Sequence, residues 1–253
     1  MKAWLKFFRV VNLPTVPGDV LVGASAFIWT VSNARRTVPY DVSAGIRLVA
    51  FAALASVFMY MFGLADNDIV GAKADTGRPI PDGQISMRAA RIARALCVIG
   101  AIAVGLAPDP VALKVLPWMW WPAALALLCS IVVYNRTKNW VLMGLCRGLN
   151  VVCGGVVAIS ASLTSGKDSA SPFLWLGVCV AVWTVYIAAV TKYSEGEEMD
   201  AAKKRRVGFL VGAIVYLQII ALLCFQSGIV VLVGVLLVMM RLMKRFLPEV
   251  SAS

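Results

Sequence analysis

Residues 48–65 read LVAFAALASVFMYMFGLA, and this stretch lies between Arg47 and Asp66 without a charged side chain of its own. An α-helix needs about 20 mostly apolar residues to cross the hydrocarbon core of a bilayer. Only helices and closed barrels satisfy their backbone hydrogen bonds there, and barrel strands show alternating segments of about ten residues instead. The stretch therefore predicts a membrane-spanning helix over about 44–64.

Similar apolar runs recur along the 253-residue chain. The predicted spans lie at about 11–31, 44–64, 92–107, 116–134, 140–161, 173–191, 207–225 and 228–240. Composition agrees, since 60% of the residues are hydrophobic and 15% are charged, whereas soluble domains carry about 45–50% and about 25%. We expect an all-α membrane protein in one domain over residues 1–253, a helical bundle of about eight transmembrane helices in two four-helix halves.

Basic residues are distributed unevenly between the two ends of these spans. Eighteen Lys and Arg side chains fall on the side that holds both termini, and four fall on the other side. Cytoplasmic loops of membrane proteins are rich in Lys and Arg. The net charge of +11 is thus explained by topology, and we expect no nucleic-acid partner. We expect an integral protein of a bacterial inner membrane with both termini in the cytoplasm.

The side chains that the chain lacks exclude several kinds of site. There is no histidine, and the six cysteines lie in apolar runs without a CxxC pair. Histidine–carboxylate metal sites, histidine general bases and histidine haem ligation are therefore excluded. The cysteines are expected to pack as small apolar residues. A metal site in this chain should use oxygen ligands.

Eight of the thirteen acidic residues lie in two loops on the predicted cytoplasmic side. Each loop follows the second helix of a four-helix half. The loops contain Asp66, Asp68, Asp75 and Asp82, and then Glu195, Glu197, Glu198 and Asp200. Clustered carboxylates repel one another unless a cation lies between them, and hard oxygen ligands suit Mg²⁺. The alternative is that these carboxylates only balance the basic residues beside them.

Basic residues lie near both acidic loops. Arg78 lies beside the first acidic cluster and Lys192 beside the second, while Lys138 follows the fourth span. Arg147 lies inside the fifth span, where a charge is costly and usually functional. Carboxylates together with Arg and Lys at one membrane face fit a diphosphate bridged by Mg²⁺.

The first acidic loop resembles the first motif of the UbiA superfamily of intramembrane prenyltransferases. That motif is Asn-Asp-x-x-Asp-x-x-x-Asp followed by Arg-Pro-x-x-x-Gly, and it is similar to NDIVGAKAD at 67–75 and RPIPDGQIS at 78–86. Gly71 stands where the family has its middle Asp. The resemblance covers nearly the whole chain, and this segment is its most specific part.

Further elements extend the resemblance. The Tyr-x-x-x-Lys element of the family is similar to YNRTK at 134–138, and Arg9, Asn12 and Pro14 resemble the start of its first helix. The stretches RGLNVVCGG and TKYSEGEE, at 147–155 and 191–198, are most similar to the small EboC-like branch. The second family motif, Asp-x-x-x-Asp, has no full match in YSEGEEMD.

The resemblance implies a fold of nine helices and a reaction. Family members bind a prenyl diphosphate with Mg²⁺ at the cytoplasmic mouth of the bundle, and the tail enters an apolar channel. Loss of diphosphate leaves an allylic cation, which an acceptor attacks within the bilayer. The acceptor stays open here, with an aromatic compound, a sugar alcohol, a lipid or a small metabolite as alternatives.

The same resemblance implies a set of site residues. The implied metal ligands are Asn67, Asp68, Asp75, Glu195, Glu197 and Asp200, of which the first three are the catalytic group. The implied substrate-binding residues are Asn12, Arg78, Tyr134, Lys138, Arg147, Asn150 and Lys192. Candidate aromatic lining residues, by position, are Phe58, Tyr60, Tyr134, Trp183 and Tyr186.

Other functions stay open at this point. A membrane transporter would place polar groups near the bilayer midplane, and Arg147 is the residue that favours it. A degenerate family member would bind prenyl diphosphate without turnover, and Gly71 and the altered second loop favour that alternative. A phosphatidyltransferase is disfavoured because the Asp-Gly-x-x-Ala-Arg pattern is absent.

Overall fold

A computed structural model describes most of the chain. The described residues are 1–34, 42–73, 77–106, 116–162, 171–195, 201–225 and 230–246. Three predicted metal ligands, Asp75, Glu197 and Asp200, lie outside them.

Within these ranges every regular element is helical, and the expected all-α architecture is confirmed. The α-helices are α1 (Lys2–Phe7), α2 (Thr15–Ala34), α3 (Val42–Val70), α4 (Met87–Gly105), α5 (Leu116–Thr137), α6 (Trp140–Ser162), α7 (Ser171–Ser194), α8 (Ala201–Cys224) and α9 (Val230–Phe246). A 3-10 turn at Val10–Asn12 connects α1 to α2.

Each of the eight long helices, α2 to α9, overlaps one of the predicted apolar spans. Five segments of the described chain are both long and apolar enough to cross a membrane. They are Val10–Thr30, Arg47–Val70, Trp140–Ile159, Phe173–Ser194 and Arg205–Cys224. The count of eight membrane-spanning helices therefore stays a prediction, although the helical bundle itself is confirmed.

Helices α2 and α6 form the centre of the bundle. Helix α2 packs against α3, α6, α7, α8 and α9, and α6 packs against α2, α3, α5 and α7. Their backbones touch at two glycines: a Cβ on Gly23 would lie 1.9 Å from the Val151 carbonyl oxygen, and a Cβ on Gly154 would lie 2.0 Å from that of Val20. Small residues permit this close approach, which brings polar groups of α2 and α6 together.

The outer helices expose large apolar side chains. Leu96 on α4, Phe173 on α7, Phe209 on α8 and Val231 on α9 are all more than half exposed. Exposed apolar surface on this scale is unusual for a soluble monomer and typical of a surface that contacts lipid. The bundle therefore has an apolar outer surface.

Local capping explains where the helices near the acidic segment begin. The predicted span began at about residue 92, but α4 begins at Met87 because the Ser86 hydroxyl accepts a hydrogen bond from the Ala89 backbone at 3.2 Å. Helix α6 begins after Asn139, whose side-chain oxygen accepts from the Val141 backbone at 2.8 Å. Side chains of this type satisfy the unpaired N–H groups of the first helical turn.

Candidate functional site

The end of α3 carries two carboxylates with different surroundings. Asp66 is buried, and its oxygens accept from Arg94 Nη1 at 2.8 Å and from Asn135 Nδ2 at 2.9 Å. Asn135 also donates to the Gly63 carbonyl at 3.0 Å. Asp66 thus connects α3 to α4 and α5, and this network fixes the end of α3.

Asp68 is the second carboxylate, and arginines from two separate segments contact it. Arg78 Nη1 lies 2.6 Å and Arg9 Nη2 lies 3.4 Å from the same Oδ1 atom. Asp68 is 3% exposed, whereas the two arginines are 31% and 24% exposed. The carboxylate is therefore held inside, while the guanidinium groups remain accessible at the rim.

Asn67 lies next to Asp68 and meets a cation of its own. The Lys138 ammonium donates a hydrogen bond to Asn67 Oδ1. The structure therefore brings together four predicted residues, Asn67, Asp68, Arg78 and Lys138, and adds Arg9 to them. We call these five residues the charged mouth.

The part of the loop that follows residue 76 is held in place by two contacts. Lys6 Nζ donates to the Gly77 carbonyl at 2.8 Å, and the Ile85 backbone donates to the Pro79 carbonyl at 3.0 Å. Gly83 has φ +70°, a left-handed conformation that glycine adopts without steric cost. This folded loop directs Arg78 back towards Asp68.

Two residues of the charged mouth have unusual backbone conformations. Arg9 has φ 41° and Lys138 has φ 53°, and within the described ranges they are the non-glycine residues with positive φ. The left-handed conformation costs an L-residue roughly 1–2 kcal/mol. Strained residues cluster at functional sites because the surrounding structure must hold them. Both residues direct a cation at the 67–68 pair.

A cavity of about 110 Å³ lies behind the charged mouth, between α2, α3, α5 and α6. This volume accommodates several water molecules or the reacting end of a substrate. Its apolar lining includes Val16, Leu64, Leu127, Ile131 and Met143. Its polar lining consists of Arg9, Ser56, Tyr60, Asn67, Tyr134, Asn135, Arg147 and Asn150. Four predicted residues, Asn67, Tyr134, Arg147 and Asn150, therefore line one cavity.

A buried polar network forms one wall of this cavity. Arg147 Nε lies 2.9 Å from Asp19 Oδ2, and Arg147 Nη2 donates to Asp19 Oδ1 at 3.1 Å. Asn150 Nδ2 donates to Asp19 Oδ2 at 3.2 Å and to the Val16 carbonyl at 3.1 Å, while the Ser56 hydroxyl donates to Asn150 Oδ1. The predicted pair on α6 is thus anchored to α2.

The residues predicted for the site from the sequence included neither Arg9 nor Asp19. The signal for Asp19 was available, because it is an acidic residue inside the first predicted span, 11–31, where a charge is usually functional. For Arg9, the only signal in the sequence was its likeness to the start of the first helix of the family. Its contact with Asp68 depends on the folded chain.

Three predicted residues, Asn12, Lys192 and Glu195, are not among those that line the cavity. The backbone carbonyl of Asn12 accepts from Thr15 Oγ1 at 2.8 Å, and Asn12 is not among the residues that line the cavity. Lys192 Nζ lies 3.1 Å from Glu195 Oε2, and both side chains are well exposed at the end of α7. Lys192 also lies over the Trp140 ring, 5.8 Å from its centroid.

The aromatic candidates divide into two groups. Tyr60 and Tyr134 line the cavity. Trp183 Nε1 donates to Asp19 Oδ1 at 2.8 Å, and the Tyr186 hydroxyl donates to the Leu210 carbonyl at 2.7 Å. Phe58 lies against Gly100 on α4. Only the first group is placed to contact a substrate in this cavity.

The donor atoms at the charged mouth are compatible with Mg²⁺. No group of three Asp, Glu or Cys side chains that could hold a metal is found in the described part of the chain. Asp68 and Asn67 nevertheless present a carboxylate and an amide oxygen, both hard ligands, side by side. Mg²⁺ typically takes one or two carboxylates and completes its shell with water and substrate phosphate. Two protein ligands with cations beside them fit that requirement.

Comparison with known proteins agrees with this architecture. The chain is similar to a solved structure of digeranylgeranylglyceryl phosphate synthase, with 14% identity and a TM-score of 0.52 over 100% of this chain and 91% of that chain. It is equally similar to a UbiA homolog from Archaeoglobus fulgidus bound to DMAPP and Mg²⁺, with 14% identity and a TM-score of 0.52 over 98% and 87% of the two chains. At this identity the likeness shows the fold. No curated protein matches the chain.

The family assignment rests on the sequence itself. The model of the UbiA prenyltransferase family matches residues 23–247, which is most of the chain. The apolar helices and this match together indicate an integral membrane protein. The protein belongs to the UbiA prenyltransferase family.

Proposed function

We propose that the protein transfers an isoprenyl group from a prenyl diphosphate to an acceptor within the membrane, in a Mg²⁺-dependent reaction that releases pyrophosphate. One observation supports the proposal: the oxygen atoms of Asn67 and Asp68 lie among the cations of Arg9, Arg78 and Lys138, and Arg9 and Asn67 also line the cavity. Family membership supports a prenyltransferase. A structural neighbour with this fold is bound to DMAPP and Mg²⁺.

The charged mouth binds the diphosphate in this proposal. Arg9 and Arg78 share one carboxylate oxygen and remain partly exposed, so both can turn to phosphate oxygens when donor arrives. Arginine makes paired, charge-assisted hydrogen bonds with phosphate, and Lys138 adds a point charge. A bound Mg²⁺, held by Asp68, Asn67 and Asp75, would neutralise phosphate oxygens and stabilise the leaving group.

The cavity holds the reacting carbon of the donor. The bond between this carbon and the diphosphate oxygen breaks, and its electron pair leaves on the diphosphate. A nucleophilic atom of the acceptor donates an electron pair to form the new bond, and its proton passes to water at the mouth. The apolar lining excludes water that would capture the allylic cation. The rings of Tyr60 and Tyr134 can stabilise its charge.

The remaining assignments rest on the sequence. Glu197 and Asp200, or Glu195 in the first of these positions, supply oxygen ligands for a second Mg²⁺, and Lys192 and Asn12 are assigned to substrate binding by sequence alone. The chain forms one transmembrane domain of the EboC-like branch in a bacterial inner membrane, with the charged mouth on the cytoplasmic side. The acceptor is an aromatic compound or a lipid that reaches the cavity from the bilayer.

A product analysis tests the proposed function. The purified protein is incubated with prenyl diphosphates of several lengths and a mixed acceptor pool, and the lipid extract is examined by mass spectrometry. We expect a prenylated product with Mg²⁺ and none with EDTA. Asp68→Asn should abolish the product, whereas Asp82→Asn removes an exposed carboxylate of the same segment and should leave it unchanged. Equal product from the Asp68→Asn variant would contradict the proposal.

The second candidate is a protein that binds prenyl diphosphate without turnover. Gly71, in place of the middle Asp, is the observation that favours it. The same experiment separates the two, because this candidate retains donor in a Mg²⁺-dependent complex and yields no product. The transporter alternative still rests on Arg147, whose charge is paired with Asp19 inside the bundle, because paired intramembrane charges also occur in transporters.

A further inference from the structure

Asp19 has an unusual environment for a carboxylate on a membrane-spanning helix. It is 0% exposed, and its contacts come from three other helices. Besides Arg147 and Asn150 on α6, its Oδ1 atom accepts from Trp183 Nε1 on α7 at 2.8 Å and from Gln218 Nε2 on α8 at 2.7 Å. Burying a carboxylate costs desolvation free energy even when it has this many partners, so we expect this arrangement to serve a function.

The main partner of Asp19 is a cation on the wall of the cavity. Arg147 is 7% exposed and lines the cavity together with Asn67 of the charged mouth. Its Nη2 atom is also held by the Thr15 backbone carbonyl at 3.0 Å. Arg147 therefore makes two contacts with α2. Its positive charge is balanced by Asp19, whose Oδ2 atom lies 2.9 Å from Arg147 Nε.

The two ends of the cavity consequently differ in charge. At the mouth, the partly exposed Arg9 and Arg78 both contact Asp68 Oδ1, and Lys138 contacts Asn67. At the wall, Arg147 has its own carboxylate, fully enclosed by protein. An anionic group is therefore attracted to the mouth, whereas the wall presents a neutral ion pair.

We infer that Asp19 is a positioning residue that holds Arg147 against α2 and cancels its charge, so that no uncompensated cation faces the allylic carbon during transfer. The inference rests on the proposed function, because it concerns the charge that develops in that reaction. A bare guanidinium at the wall of a water-poor cavity would oppose a positive transition state strongly.

The test removes the charge of Asp19 and keeps its shape. In Asp19→Asn, the amide oxygen can still accept from Trp183 and Gln218, but Arg147 becomes uncompensated. We expect kcat for prenyl transfer to fall about 100-fold, while KM for the donor stays within about twofold because the charged mouth is intact. An unchanged kcat in Asp19→Asn would overturn the inference.

A double variant separates this role from a purely structural one. Asp19→Asn with Arg147→Gln makes the wall neutral again, so we expect kcat to recover at least about tenfold from the single variant. A double variant as slow as the single one would overturn the inference, since Arg147 would then act on the substrate directly. Thermal unfolding of each purified variant shows whether recovery of kcat merely follows recovery of the fold, which would also contradict the inference.

A binding measurement gives a readout that needs no turnover. A prenyl analogue with a tertiary ammonium at the reacting carbon, added with pyrophosphate and Mg²⁺, imitates the cation, and the uncharged carbon analogue is its control. Asp19→Asn should weaken the cationic analogue about 100-fold and the uncharged one by no more than about twofold. Equal weakening of both analogues would contradict the inference. Failure of the wild-type protein to bind or transfer any donor would instead contradict the proposed function.

Discussion

Arg9 and Lys138 are two residues of the charged mouth with an unusual backbone conformation. Both have left-handed φ angles, and both direct a cation at the 67–68 pair. Lys138 follows the last residue of α5, a position where glycine normally ends a helix with a left-handed conformation. Its backbone N–H donates to the Tyr134 carbonyl at 2.7 Å. The chain therefore carries a lysine where glycine would be more stable.

Lys138→Gly should consequently separate stability from function. We expect the free energy of unfolding to rise by up to about 1 kcal/mol, because the steric cost of the left-handed conformation disappears. Affinity for a prenyl diphosphate should fall about tenfold or more, since a charge-assisted hydrogen bond is lost. Thermal unfolding and equilibrium binding measure the two effects. A variant with lower stability and unchanged affinity would contradict this account of Lys138.

Asp66 and Asp68 show why neighbouring identical residues must be distinguished by their partners. Asp66 accepts from Arg94 and Asn135, side chains that belong to helices packed against α3. Asp68 instead contacts arginines that remain partly exposed. The motif pattern predicts a ligand role for Asp68 and none for Asp66, whereas a count of carboxylates alone could not separate the two residues.

The packing of the helices around the cavity depends on the contact between α2 and α6. Gly23 and Gly154 meet backbone carbonyl oxygens, which cannot rotate away as a side chain could. This contact sets the distance at which Arg147 and Asn150 reach Asp19. The cavity wall is therefore a consequence of close backbone approach.

Gly154→Ala should destabilise the protein and disturb the site. The added Cβ would lie 2.0 Å from the Val20 carbonyl oxygen, and overpacking of this kind typically costs about 1–3 kcal/mol. Gly177→Ala on α7 is the matched control, since no described atom lies within 4 Å of its added Cβ. The control should be neutral or slightly stabilising because alanine favours helix. Equal thermal unfolding of the two variants would refute the packing argument.

The sequence predicted elements well because apolar runs determine helices directly. All eight long helices fall on predicted spans, and boundaries were missed where capping decided them, as at Ser86. The site was predictable where a motif is contiguous, as for Asn67, Asp68 and Arg78. Contacts such as Asp19 with Arg147 join residues 128 positions apart, and no local pattern encodes them.

Across the whole molecule, the charged groups of the site and the apolar surface lie in different places. The charged mouth lies at the ends of α3 and α5, on the side that the Lys and Arg bias predicts to be cytoplasmic. The outer helices expose apolar side chains to lipid. A prenyl diphosphate made in the cytoplasm would place its diphosphate at the charged mouth and its apolar tail in the bundle.

Cysteine labelling tests this orientation. Asp82→Cys, on the exposed part of the loop after α3, should react in inside-out vesicles with a membrane-impermeant maleimide, and Lys167→Cys should react in right-side-out vesicles. Because Cys129 and Cys224 are exposed, the background carries Cys129→Ser and Cys224→Ser. The opposite labelling pattern would reverse the predicted topology.

Asp68 and its neighbours are proposed to hold a prenyl diphosphate together with Mg²⁺, and equilibrium binding of a non-hydrolysable donor analogue tests this. The purified protein is titrated with the analogue in Mg²⁺ and in EDTA, alongside Asp68→Asn and the control Asp82→Asn. We expect the wild type and Asp82→Asn to bind the analogue in Mg²⁺, and we expect the affinity to fall at least about tenfold in EDTA or in Asp68→Asn. The same affinity in all four conditions would contradict it.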